Sequence, residues 1–348
     1  MKKVLIWIIA IVTTLCLIGV FLVDHWADTG HGKLNYKVAI VLKFMSLSGK
    51  DSSSEENRPS VAESRQRLIE KAKSFSSEPV PLKRVVNRTI PGAATDIPIR
   101  IYIPIEKEML PVIVFFHGGG WVQGNLDSHD NLVRYLANRS DSIVVAVDYR
   151  LAPEHPFPAG LEDSYAALLW VSENAASFGG DSAKIAVMGD SAGGNFAAAI
   201  SLMARDKNGP KILRQVLVYP ATNLSELETD SYRFFAKGFM LTKKDIEWFR
   251  GLYLPEVSEW ANPLVSPLLA KDFSNLPPAT IITAEMDPLR EDGKLYADKL
   301  EEAGGDVHYR CFKGMIHGFV SADKVLSQAH EALDEIAVDL QQSFGTSL

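Results

Sequence analysis

Ile185-Ala186-Val187-Met188-Gly189-Asp190-Ser191-Ala192-Gly193-Gly194 decides the fold of this chain. The first four residues read as a buried strand, Gly189-Asp190-Ser191-Ala192-Gly193 as a sharp turn, and residues 192–205 as an Ala-rich helix. A serine on so tight a strand-to-helix turn needs glycine-like neighbours two positions to either side, because side chains there would collide across the turn. Gly189 and Gly193 meet that need. The turn lifts Oγ out of the sheet and leaves the N–H of Ala192 at the positive end of a helix. A serine that merely caps the helix is the plain alternative, and the strand in front of it disfavours that reading.

Working outward, further apolar runs at 112–116, 143–147, 216–219, 280–283 and 307–312 alternate with helix-like stretches at 131–138, 161–175, 291–303 and 324–340. Uninterrupted apolar runs suit strands buried on both faces, so the order predicts an α/β fold with a mostly parallel sheet wrapped by helices. Residues 84–90 and 97–103 alternate instead and predict an antiparallel edge pair. The composition, 47% hydrophobic and 23% charged over 348 residues, excludes a disordered or disulfide-scaffold chain. A net charge of −7 without a basic stripe argues against nucleic-acid binding. Cys16 and Cys311 have no ligand-spaced neighbours, so both are expected as free thiols, and no metal site is expected.

The strand at 112–116 runs into His117-Gly118-Gly119-Gly120-Trp121, whose glycines let successive N–H groups converge on one oxygen, as a tetrahedral oxyanion requires. A phosphate cradle would need a different glycine spacing or a terminal Gly-Lys-Ser/Thr. Serine needs a base, and the base needs an acid to orient it. Among the downstream histidines, His330 reads as a surface residue and His308 as a strand-face residue. His317, in a glycine-flanked loop after a strand, is the expected base. The acid lies among Glu285, Asp287, Glu291 and Asp292. Glu291 and Asp292 fall in a first helical turn, where carboxylates commonly serve the helix dipole, and this favours Asp287.

With Asp148-Tyr149-Arg150-Leu151-Ala152-Pro153-Glu154-His155-Pro156-Phe157-Pro158-Ala159, Asp287-Pro288-Leu289-Arg290 and His317-Gly318-Phe319, these motifs resemble the hormone-sensitive-lipase-like, bacterial family IV carboxylesterases of the α/β-hydrolase fold over about residues 85–340. The resemblance implies Ser191 as nucleophile, His317 as general base, Asp287 as its orienter and Gly118, Gly119 and Ala192 as oxyanion donors, with Gly120 as a fourth. It implies a structural role for 148–159, a helical cap from the N-terminal region and an insertion at about 222–262, and ester hydrolysis without metal or organic cofactor. Trp121, Asp190 and Phe239 are the pocket candidates. Short- to medium-chain acyl esters are the expected substrates. An amidase or deacetylase on the same residues is the alternative; a non-catalytic receptor on this fold is disfavoured by His317.

Residues 4–23 are free of charge and long enough to cross a membrane, since about 20 apolar residues span about 30 Å of hydrocarbon. Asp24-His25-Trp26 makes a poor cleavage site, so an uncleaved signal anchor over residues 1–30 is expected, with a cleaved secretory signal as the alternative. The anchor resembles that of arylacetamide deacetylase-like relatives. Lys2 and Lys3 favour a cytoplasmic N-terminus and an extracytoplasmic catalytic domain. Residues 31–84 read as a linker with N-terminal cap helices, including a helix at 61–75 and a tether at 48–59, ahead of a catalytic domain at 85–348. The expected partners are a small-molecule ester, the membrane and a second copy as a homodimer.

Overall fold

The computed structural model describes residues 2–47 and 58–346. The elements run α1 (Lys2–Ala27), α2 (Tyr36–Leu47), α3 (Val61–Phe75), β1 (Arg84–Ile90), β2 (Ile97–Ile103), β3 (Leu110–Phe116), α4 (Asp130–Ser140), β4 (Ile143–Val147), α5 (Ala159–Asn174), β5 (Gly180–Asp190), α6 (Ala192–Asp206), β6 (Gln215–Val218), α7 (Asp230–Phe234), α8 (Lys243–Tyr253), β7 (Ala279–Met286), α9 (Arg290–Glu302), β8 (Val307–Ile316) and α10 (Ser327–Phe344). The strands form one eight-stranded sheet in the order β1-β2-β4-β3-β5-β6-β7-β8. β1 pairs antiparallel with β2 and β2 with β4; every later pairing is parallel. This is the α/β-hydrolase arrangement.

The apolar runs explain the layering. In β3, Val112, Val114 and Phe116 enter one core with residues of α5, α6 and α9, while Ile113 and Phe115 enter the opposite core with α4 and α10. β5 repeats the pattern with Ile185 and Val187 on one face and Ala186 and Met188 on the other. Both faces are therefore buried, as a parallel sheet requires.

Above the C-terminal ends of the strands lie α3 and α8. Each opens on a capping box: Ser60 with Glu63, and Thr242 with Asp245. The Asp148–Ala159 run braces this end. Arg150 holds Asp163 through two donors at 2.8 Å each and the Ala159 carbonyl at 3.2 Å, and Arg65 of α3 donates to the Ala152 carbonyl at 3.0 Å.

Ahead of the catalytic region, the stretch expected as a linker with cap helices contains a helix besides α3. Residues 36–47 form α2, and its Val38 and Ala39 are buried. Of the expected tether, 48–57 lies outside the described residues. α1 is long and apolar enough to cross a membrane, and none of its apolar window is buried. Cys16 and Cys311 are free.

Candidate active site

Ser191 sits between β5 and α6 with φ 55° and ψ −117°, a strained backbone that a serine adopts only where the surroundings fix it. Its N–H donates to the Val218 carbonyl at 2.8 Å. The two flanking glycines are required by space. A Cβ on Gly193 would lie 1.9 Å from the Phe116 carbonyl oxygen, and one on Gly189 would lie 2.2 Å from the Gly193 backbone.

β8 ends at Ile316 and delivers His317 to this serine. Its Nε2 lies 2.9 Å from Ser191 Oγ and its Nδ1 2.7 Å from Asp287 Oδ2. Asp287, fully buried after β7, also accepts the Leu289 N–H at 2.9 Å. A buried carboxylate at Nδ1 fixes the tautomer that leaves Nε2 free to accept the serine proton. The Tyr219 ring packs against His317 at 4.5 Å between centroids.

The other carboxylates of this stretch hold structure. Glu285 accepts the Gly314 N–H at 2.8 Å, and Glu291 accepts the Ser231 N–H at 3.1 Å. Asp292 is buried and accepts the N–H groups of Thr222 and Asn223, each at 3.0 Å. His308 lies between Glu335 and Asp339, and His330 contacts Asp323; neither lines the cavity at Ser191.

The glycine loop corrects one expectation. Gly118 donates its N–H to Asp190 Oδ1 at 2.8 Å, so that group is spent on holding the loop and is not aimed at substrate. Asp190 also pairs with His129 at 3.3 Å. Burial opposes ionisation of Asp190, but the His129 imidazole and the Gly118 N–H together hold its carboxyl below the usual range. Burial and the neighbouring His129 push His117 down to about 3, so its ring, stacked on Tyr149 at 4.2 Å, is neutral. Among the described residues, the N–H groups of Gly119, Gly120 and Ala192 meet no acceptor. Ala192 is the first residue of α6, whose opening N–H groups have no partner within the helix.

Asp190→Ala would leave the Gly118 N–H unpaired and the loop untethered. We expect kcat to fall by about 10² to 10³, the range for loss of one oxyanion donor, with KM little changed. Asp190→Asn keeps an acceptor and should lose less. Steady-state kinetics check this; an unchanged kcat for Asp190→Ala would remove the positioning role.

Ser191, His317, Asp190 and the three loop glycines line a cavity of about 350 Å³. Its walls include Val38, Val41 and Met45 of α2, Leu68 and Phe75 of α3, and Trp248 and Phe249 of α8. Asp190 borders the cavity with its carboxylate committed to Gly118 and His129, whereas Trp121 and Phe239 lie outside the lining. Trp121 is buried flat against Tyr253, 4.7 Å between centroids, and Phe239 packs edge-on against Phe235 at 5.1 Å. The sequence reading missed the Asp190–His129 pair and the α2 wall. Among the described residues no group of three or more His, Cys, Asp or Glu is placed to hold a metal.

A family model for the alpha/beta hydrolase fold matches residues 113–321. The chain belongs to that family. This α/β-hydrolase is similar to carboxylesterase NlhH of Mycobacterium tuberculosis, with 46% identity over 260 residues that cover 73% of this chain and 81% of the relative. Among solved structures, an ester hydrolase from the metagenome of Lake Arreo, complexed with a bipyridine phosphonate derivative, matches with a TM-score of 0.84 at 40% identity, over 90% of this chain and 100% of that one. An esterase of Pyrobaculum calidifontis matches with a TM-score of 0.84 at 39% identity, over 89% of this chain and 98% of that one.

Proposed function

We infer that this α/β-hydrolase is a serine carboxylic ester hydrolase in which Ser191 is the nucleophile, His317 the general base and Asp287 the group that orients it. The observation that carries the assignment is the unbroken relay from Asp287 through His317 to Ser191, at 2.7 and 2.9 Å, with Ser191 and His317 lining the same cavity as Gly119 and Gly120, whose N–H groups meet no acceptor among the described residues. As Oγ bonds to the ester carbonyl carbon, its proton passes to His317 Nε2. The carbonyl oxygen becomes an oxyanion that accepts from Gly119, Gly120 and Ala192. Collapse breaks the ester C–O bond, and the His317 proton goes to the departing alkoxide. Water then attacks the acyl-enzyme by the same route and frees the acid.

Short- to medium-chain acyl esters fit a cavity of about 350 Å³ with apolar walls. Turnover of p-nitrophenyl esters from acetate to dodecanoate, beside p-nitroacetanilide, tests this. We expect kcat/KM to peak between four and eight acyl carbons, with the amide at least about 10²-fold slower. Preferred turnover of the amide would make the chain an amidase instead.

α1 supports membrane anchoring, with Lys2 and Lys3 keeping the N-terminus cytoplasmic and the hydrolase on the other side. The full chain is expected in the membrane pellet after alkaline carbonate extraction. A mature N-terminus beginning after about Ala27 would establish a cleaved signal in its place.

A further inference from the structure

The membrane-length helix is joined to the wall of the catalytic cavity without slack. Leu34 N–H donates to the Ala27 carbonyl at 2.8 Å, the Tyr36 hydroxyl donates to the Asp24 carboxylate at 2.8 Å, and the Lys43 ammonium lies 5.7 Å from the centre of the Trp26 ring. Tyr36 and Lys43 stand about two turns apart on α2, and both meet residues near the end of α1. α2 therefore lies across that end instead of continuing α1.

The hydrolase grips the same segment. Asn35 N–H donates to the Gly314 carbonyl at 3.0 Å, Lys37 Nζ donates to the Val325 carbonyl at 2.8 Å, and the His31 ring stacks on Phe234 at 3.9 Å. Val38, Val41 and Met45 face the cavity that holds Ser191 and His317. Phe44 and Leu47, which are 67% and 70% exposed, lie outside it.

Depth follows from length. If residues 4–23 fill the hydrocarbon, Asp24 and Trp26 fall at headgroup level, where an aromatic ring is favoured. α2, laid across them, then rests in the interface with one side against the cavity and Phe44 and Leu47 open to acyl chains. That division of faces suits an interfacial helix.

We propose that the cavity opens at the lipid surface and that this hydrolase takes its substrate, an uncharged medium-chain ester dissolved in the bilayer, past α2. The proposal rests on the anchor and esterase readings above, and the experiment separates all three. Full-length chain is reconstituted in phosphatidylcholine vesicles and supplied either with 4-methylumbelliferyl octanoate partitioned into the lipid or with 4-methylumbelliferyl acetate in the water phase. In the Phe44→Ser/Leu47→Ser double variant, kcat/KM on the vesicle-borne octanoate is expected to fall at least tenfold while acetate turnover stays within twofold. Unchanged octanoate turnover, or an equal loss on both esters, overturns the proposal while the esterase reading stands. Wild-type chain released by carbonate overturns the anchor and the proposal with it. A wild-type chain inert toward the acetate overturns the esterase reading, and the proposal again falls.

Discussion

His317→Ala is expected to lower kcat on a short p-nitrophenyl ester by about 10⁶, with Ser191→Ala losing a similar amount and the double variant hardly more. The non-additivity follows from the geometry. Nε2 stands 2.9 Å from Oγ, so the serine proton has one acceptor, and without it the hydroxyl is a poor nucleophile. Removing either partner disables the same step. The glycine-loop and Ala192 N–H groups remain, which leaves a residual rate above that in water. Steady-state kinetics on the three variants check this. Additive losses would mean that the two residues act in separate steps.

Asp287→Asn is expected to cost about 10⁴ in kcat, because an amide at Nδ1 no longer secures the productive tautomer. Asp292→Asn, five positions on, should keep kcat within a few-fold. Asp292 does not touch His317; it ties Thr222 and Asn223 to α9, and an asparagine oxygen can accept both N–H groups. Its effect is on stability. Burial pushes the Asp292 carboxyl up to about 8, against the two N–H bonds that favour the charged form. A folded-state value above the unfolded one, about 3.9, means that the stability it contributes is present below about pH 4 and is lost as pH rises towards 8. The asparagine side chain has no such proton to lose. The melting temperature of Asp292→Asn relative to wild type should therefore be higher at pH 8.5 than at pH 5. A flat difference would show that Asp292 does not titrate across that range, and loss of turnover in Asp292→Asn with none in Asp287→Asn would exchange the two acids.

The sheet was legible because its information is local. Residues 112–116 and 143–147 are apolar at every position, and only a strand covered on both faces makes use of that. The Ser191 turn was legible because Gly189 and Gly193 answer a steric demand within five residues. Gly118 shows the opposite case. Three adjacent glycines look alike in sequence, and which N–H is free depends on a carboxylate 72 residues away reaching back to the first of them. Trp121 next to the glycines looked like a pocket residue for the same reason, yet Tyr253 of α8 stacks on it. α2 was not singled out within residues 31–84 because its apolar side chains are divided: Val38 and Ala39 join the core, Val41 and Met45 line the cavity, and Phe44 and Leu47 are exposed, so no single face announces it.

One serine, raised by the β5–α6 turn and paired with His317, is proposed to perform covalent ester hydrolysis. Intact-mass measurement after treatment with an organophosphate tests it most directly. One adduct per chain is expected, located on Ser191 by peptide mapping, appearing in step with the loss of esterase activity and absent from Ser191→Ala. Active enzyme that stays unlabelled, or a Ser191→Ala chain that still turns over ester at the wild-type rate, would contradict it.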